Sequence, residues 1–155
     1  MRKAITITAL LIAAFAANSF AQTFEDEPLP IDEVIEADAN HNVDVAWQYF
    51  KLKKAYKAAL LRMEETVAVL AAFPGYKKMD EVLYLYGMSS YYLSEGKGSQ
   101  KIVLERLPEE DRPRYEKERL REDAVAFLNK LVEEHPESKY RAKAEEALEK
   151  IKKGK

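Results

Sequence analysis

The chain predicts an all-α fold of four main helices packed in antiparallel pairs, and three observations carry that prediction. Apolar residues recur at steps of three and four along four separate stretches, which gathers them on one face of a helix. Helix-ending residues separate those stretches: Pro74-Gly75, Gly96 and His135-Pro136. The third stretch reads Ala124-x3-Leu128-x2-Leu131-x4-Pro136. There a small residue permits close helix approach, an apolar pair covers the seam and a proline stops the helix.

The first helix is expected over 43–73. Asn40 or Asn42 can cap it, and Asp44 suits its positive first turn. Its stripe is Tyr49, Leu52, Tyr56, Ala59, Leu60, Met63, Val67 and Leu70, widened near the start by Trp47 and Phe50. A helix of about 30 residues is long for a globular domain, so a bend or separate packing of its first two turns is allowed for. The second helix, over 77–94, points Met79, Leu83, Tyr86, Gly87 and Ser90 at the core. Gly87 in mid-helix costs about 1 kcal/mol relative to alanine, and close contact with another helix is the reason to carry it. Residues 96–112 hold Gly96, Gly98, Pro108 and mixed charges and read as an irregular insertion. Pro113 can open the third helix, whose face is Leu120, Ala124, Phe127, Leu128 and Leu131. The fourth is expected to start near Ser138, a capping residue, and to carry Tyr140, Ala144, Ala147, Leu148 and Ile151.

The N-terminal stretch stands apart from this domain. Arg2 and Lys3 precede the apolar run Ala4–Ala17, and Ser19-x-Ala21 offers small residues to a signal peptidase. Residues 1–21 therefore read as a signal peptide cut between Ala21 and Gln22. The apolar run is shorter than the roughly 20 residues needed to span a bilayer. Residues 22–41 are rich in acids, contain Pro28 and Pro30, and read as a flexible acidic arm. The helical domain then occupies 42–152, with 96–112 inserted in it. The expected location is periplasmic, with any outer-membrane association made through a partner.

Composition excludes several function classes. The 155 residues hold 25 basic and 27 acidic side chains, a net charge of −2, which suits neither nucleic acid nor an anionic membrane surface. There is no cysteine, so disulfides, thiolate metal sites, cysteine nucleophiles and lipidation on a cysteine are all excluded. Export without disulfides fits a bacterial periplasm. Gly96-Lys97-Gly98-Ser99 lacks the earlier glycine of a phosphate loop, because Tyr91 stands at that place. His41 and His135 have no metal-ligand spacing. Glu109-Glu110-Asp111, between Pro108 and Pro113, reads as a solvated loop rather than paired catalytic carboxylates. Ser89 and Ser90 lack a histidine partner. No catalytic, cofactor-binding or metal residue is assigned, and no small-molecule substrate is expected. Tyr84, Tyr91 and Tyr92 are the candidate partner-binding residues, since tyrosine gives large contact area at low entropic cost. Covering helix surface within the domain is an equal alternative for them.

The spacing also has a repeat character. Leu83, Tyr86 and Gly87 match the first helix of a tetratricopeptide (TPR) repeat, with Ser90 where an aromatic belongs and Tyr91 one step late. In an unbroken 34-residue repeat the small residue of the second helix follows the glycine by about 12 positions; Ala124 lies about 25 beyond that. Met63-x3-Val67-x2-Leu70-x3-Pro74 repeats the second-helix theme, with Met63 replacing the small residue. The chain reads as about two degenerate repeats cut out of phase.

Three segments together resemble the outer-membrane assembly lipoprotein family BamD. They are MDEVLYLYGMSSYYL over 79–93, an insertion ending in Asp111-Arg112-Pro113, and AVAFLNKLVEEHPESKYRAKAEEALEKI over 124–151. The matching pattern positions of the last segment are Ala124, Leu128, Leu131, His135-Pro136, Ser138, Tyr140 and Ala144. The resemblance implies a TPR-like helical fold and a non-catalytic scaffold for outer-membrane protein assembly or envelope organisation. It also implies protein partners in the assembly machinery. The chain departs from that family in two ways: Gln22 stands where a lipidated cysteine is expected, and there are fewer repeats. No partner-binding residue is carried over from the resemblance. Competing readings are a TPR adaptor of another envelope system, such as the Tol-Pal coordinator, or an accessory subunit of a larger envelope complex. A small envelope enzyme ranks last, for want of a reacting constellation.

Overall fold

The computed structural model describes residues 30–73 and 75–154. Five α-helices follow in order: α1 Glu33–Trp47, α2 Tyr56–Leu70, α3 Met79–Ser94, α4 Lys117–Glu134 and α5 Arg141–Lys153. A π-helical turn, Gln48–Lys53, links α1 to α2, and two 3-10 turns, Leu104–Arg106 and Glu109–Tyr115, lie between α3 and α4. No strand occurs among the described residues. Each helix packs on the next in sequence, and α3 also touches α1 and α5. The all-α, TPR-like arrangement of neighbouring helix pairs is the one the sequence predicts.

The single helix expected over 43–73 is two helices. Lys54 adopts φ +48, the left-handed conformation that ends helices, and the Ala55 N–H donates back to the Tyr49 carbonyl at 2.9 Å. Glycine is the usual residue at such a stop, so two consecutive lysines gave no warning. The reason for the break is tertiary. The Ser99 N–H donates to the Lys54 carbonyl and the Ser99 hydroxyl to the Lys53 carbonyl, both at 2.9 Å. Gly98, at φ +102, lies so close that a Cβ would sit 2.6 Å from the Lys54 oxygen. Leu52, assigned to the core stripe, is consequently 80% exposed on the turn.

α1 opens at Glu33, inside the stretch 22–41 assigned to a flexible arm. Asp32 caps it by accepting from the Val34 N–H at 2.8 Å, and Glu33 and Glu36 lie in its positive first turn. Ala39, Val43 and Ala46 bury its inner face. Of the acids that suggested a solvated arm, Asp32, Glu33 and Glu36 form the cap and acidic first turn of a helix. The expected signal peptide 1–21, its Ala21/Gln22 cut and residues 22–29 lie outside the described residues.

The insertion 96–112 is partly ordered into the 3-10 turns, and Pro113 lies inside the second rather than opening α4. Extended backbone at Glu116 (ψ 143) separates that turn from α4. Tyr115 packs in a small cluster with Leu60, Leu93 and Leu120, flanked by Ile102, Leu104 and Leu107. An ion pair between Arg114 and Glu64 fastens the same turn to α2. α5 begins at Arg141, not at Ser138. The Ser138 hydroxyl instead accepts from the Tyr140 N–H and donates to Asp80 on α3 at 2.7 Å.

The core follows the predicted seam. Ala124, Leu128 and Leu131 on α4 are fully buried against Leu83 and Met88 of α3 and Ala144, Ala147 and Leu148 of α5. Gly87 meets Leu128 head-on: a Cβ there would lie 2.7 Å from the Leu128 Cγ. The close approach expected for Gly87 is therefore present. A second cluster joins α1, α2 and α3 through Val43, Ala46, Met63, Leu70, Val82 and Leu85.

Candidate partner-binding groove

α1, α3 and α5 line a groove of about 690 Å³. Its floor is α3, where Tyr84, Met88 and Tyr91 recur at steps of four and three and so share one face, with Tyr92 beside them. One wall is the end of α1 and the π turn, through Trp47, Phe50 and Lys51. The other is α5, through Lys143, Ala147 and Lys150 on a single helical face, with Tyr140 just before its start. Lys97 stands just beyond the end of α3, and Glu146 is the groove's one carboxylate.

The aromatic rings form a connected set. Tyr84 stacks on Tyr140 with centroids 4.7 Å apart, and Trp47 lies 5.9 Å from Tyr84 and 5.5 Å from Tyr140. Phe50 meets Trp47 edge-on at 5.8 Å and Tyr92 at 5.7 Å. Trp47 is fixed by its indole N–H, which donates to Glu81 at 2.5 Å. Glu81 also faces Lys139 Nζ at 3.8 Å, and its neighbour Asp80 accepts from Ser138. The first turn of α3 thus ties α1 and the α4–α5 turn together, setting the width of the groove.

Burial pushes the Tyr84 hydroxyl up to about 12, helped by Tyr92, Tyr140 and Glu146. Burial is also the main cause that raises Tyr92 and Tyr140. These phenols stay protonated at neutral pH and offer ring faces and hydrogen bonds. Glu146 is held below the usual carboxylate range by its hydrogen bond from Lys150, so it is ionised there too. Lys51 Nζ sits 4.0 Å over the Trp47 ring, and Lys97 Nζ lies 5.8 and 5.6 Å from Tyr91 and Tyr92. The groove can stack and pair with a ligand; it presents no opposed acid and base.

All three tyrosines singled out in the sequence line this groove, but unequally. Tyr84 and Tyr91 are 5% and 8% exposed, so most of their surface serves the domain's own packing, while Tyr92 is half-buried. Tyr86 points elsewhere and stacks on Phe127 at 3.6 Å. Sequence reasoning missed Trp47, Phe50, Tyr140 and the lysines as groove residues. The stripe Tyr140-x2-Lys143-x3-Ala147-x2-Lys150 on α5 was the available signal. The Gly96–Ser99 run is a helix stop and clamp. Asp111, from the acidic run, faces Arg114 at 3.8 Å. Ser89 and Ser90 are fully buried in α3. No cluster of histidine and carboxylate side chains suited to a metal occurs among the described residues. No described helix is long and apolar enough to cross a membrane.

Paired helices with a concave aromatic face define the class: a TPR-like helical scaffold. The family model of YfiO, described as an outer membrane lipoprotein, matches residues 67–154, and the chain belongs to that family. This is the family to which the resemblance with BamD points. The matched span holds the groove's α3 and α5 surfaces, whereas Trp47, Phe50 and Lys51 precede it. No curated protein and no solved structure matches the chain.

Proposed function

We propose that this protein is a non-catalytic, exported scaffold that holds a partner protein in outer-membrane protein assembly or envelope organisation. One observation carries the reading: a groove of connected aromatic rings, held at a set width by Asp80 and Glu81, in a chain of an outer membrane lipoprotein family. Aromatic side chains in a concave helical surface are a common way for repeat scaffolds to grip partners. The 96–112 insertion, whose last turn runs on to Arg114 and its ion pair with Glu64 on α2, widens the surface available for docking. Residues 1–21 direct export, with cleavage after Ala21. Any membrane association is made through the partner.

The test is a photo-crosslinking amino acid in place of Tyr92, the least buried of the three tyrosines, in cells that make the protein. Recovery of a β-barrel assembly component supports the reading, and recovery of Tol-Pal components favours the envelope adaptor instead. A groove that forms no crosslink, while the same probe at Val103 does, moves the docking surface to the insertion.

A further inference from the structure

The groove has a sign as well as a shape. The chain carries a net charge of −2, yet four lysines border the groove against one glutamate. That Glu146 is already engaged, 2.6 Å from Lys150 Nζ. Lys51, Lys97 and Lys143 form no ion pair among the described residues. Lys51 and Lys97 lie over the rings of Trp47 and Tyr92, which places their ammonium groups beside the groove's aromatic lining.

Unneutralised cations above stacked rings suit an extended ligand that carries both carboxylates and aromatic side chains. Its rings would lie against the half-buried Trp47, Phe50, Tyr92 and Tyr140 while its acids meet the lysines. Resting on the partner-holding reading above, we propose that the groove takes an acidic, aromatic-bearing segment of a partner protein. An anionic bilayer fits the same charge but not the same shape. The lining is concave, with α1 and α5 rising on either side of α3, and a flat surface does not enter it.

Trp47 is the only tryptophan in the sequence and stands in the groove wall, so its emission reports occupancy without a label. The purified full chain is titrated with the soluble peptide Asp-Glu-Phe-Asp-Glu-Phe, with versions carrying glutamine or lysine for every acid, and with phosphatidylglycerol vesicles. The acidic peptide should give a saturable change. Binding should be about tenfold weaker for the glutamine version and absent for the lysine version. Raising salt from about 0.05 to about 0.5 M should weaken the acidic peptide about tenfold, because exposed charges are screened. The K51Q/K143Q variant should lose about tenfold for the acidic peptide with an unchanged circular dichroism spectrum. Equal binding of the acidic and glutamine peptides overturns the preference for acids, and an equal response to vesicles overturns a peptide ligand. Silence toward every probe, with the Tyr92 crosslink still formed, overturns this proposal and leaves the scaffold reading standing. Loss of both brings down the reading on which it rests.

Discussion

Replacing Gly87 by alanine sets two effects of known size against each other. Helix propensity alone favours alanine by about 1 kcal/mol at a mid-helix position. The added Cβ, however, would lie 2.7 Å from the Leu128 Cγ, 2.8 Å from its Cδ2 and 3.3 Å from its backbone nitrogen. Carbon atoms rest at about 3.5–4.0 Å, so the two helices would have to part by most of an ångström at this point. Leu128 cannot swing clear, because it is fully buried in the cluster with Leu83, Met88 and Leu131 and its branch point is struck as well as its tip. Overpacking of this kind costs about 1–3 kcal/mol. The clash should win, leaving Gly87→Ala about 1 kcal/mol less stable. Urea unfolding followed by far-ultraviolet circular dichroism should show a lower midpoint at unchanged slope. Leu128→Ala alone should cost about 2–5 kcal/mol, but it removes the obstacle. In that background Gly87→Ala should become stabilising, a coupling of about 1–2 kcal/mol between the sites. A stabilised single variant, or additive effects in the double variant, would refute the close-contact account of Gly87.

Three further outcomes follow from the same geometry. Gly98→Ala combines φ +102 with a Cβ 2.6 Å from the Lys54 oxygen, and should destabilise by about 2 kcal/mol in urea unfolding. Glu81→Ala removes the acceptor of the Trp47 indole and should cost about 1–2 kcal/mol with a red-shifted tryptophan emission; Glu81→Gln, which keeps an acceptor, should restore most of both. The hydroxyls of Tyr76, Tyr84 and Tyr86 are pushed up to about 12, in each case chiefly by burial. Unfolded tyrosine ionises near 10, so between about pH 10 and 12 the unfolded chain loses protons that the folded chain keeps. Stability is therefore insensitive to these groups below about pH 10 and falls as pH rises through that window. Tyr76 and Tyr84, both nearly covered, would each contribute on the order of 2–3 kcal/mol. Tyrosinate absorbance and circular dichroism should change together there, and separate transitions would contradict the assignment.

Much of the fold was legible because it rests on local signals. The Ala124–Pro136 stretch and the stripe of α5 have strict helical spacing, and Gly87 announced its close contact by being costly anywhere else. The clearest error came from a long-range partner. Lys54 ends a helix only because Ser99 and Gly98, more than forty positions later, hold its carbonyl. Ser138 looked like a helix cap, and its hydroxyl does accept from the Tyr140 N–H, but residues 139–140 form a turn and the helix starts at Arg141. The acids of the supposed arm were ambiguous, since an acidic helix N-terminus and a solvated tail share a composition. For the groove, the tyrosines of α3 were visible as a face of one helix. Trp47 and Tyr140 were not, because their meeting depends on which way α1 and α5 lean against α3.

The joint at Lys54 has a consequence for how this molecule opens. A lysine in the left-handed region is held by contacts rather than by its own preference, and those contacts come from the start of the insertion. Neither side keeps its geometry without the other. The π turn, which carries Phe50 and Lys51, and the Gly96–Ser99 run should therefore lose amide protection in a single step of hydrogen exchange, at one shared free energy, rather than fraying independently as two loops would.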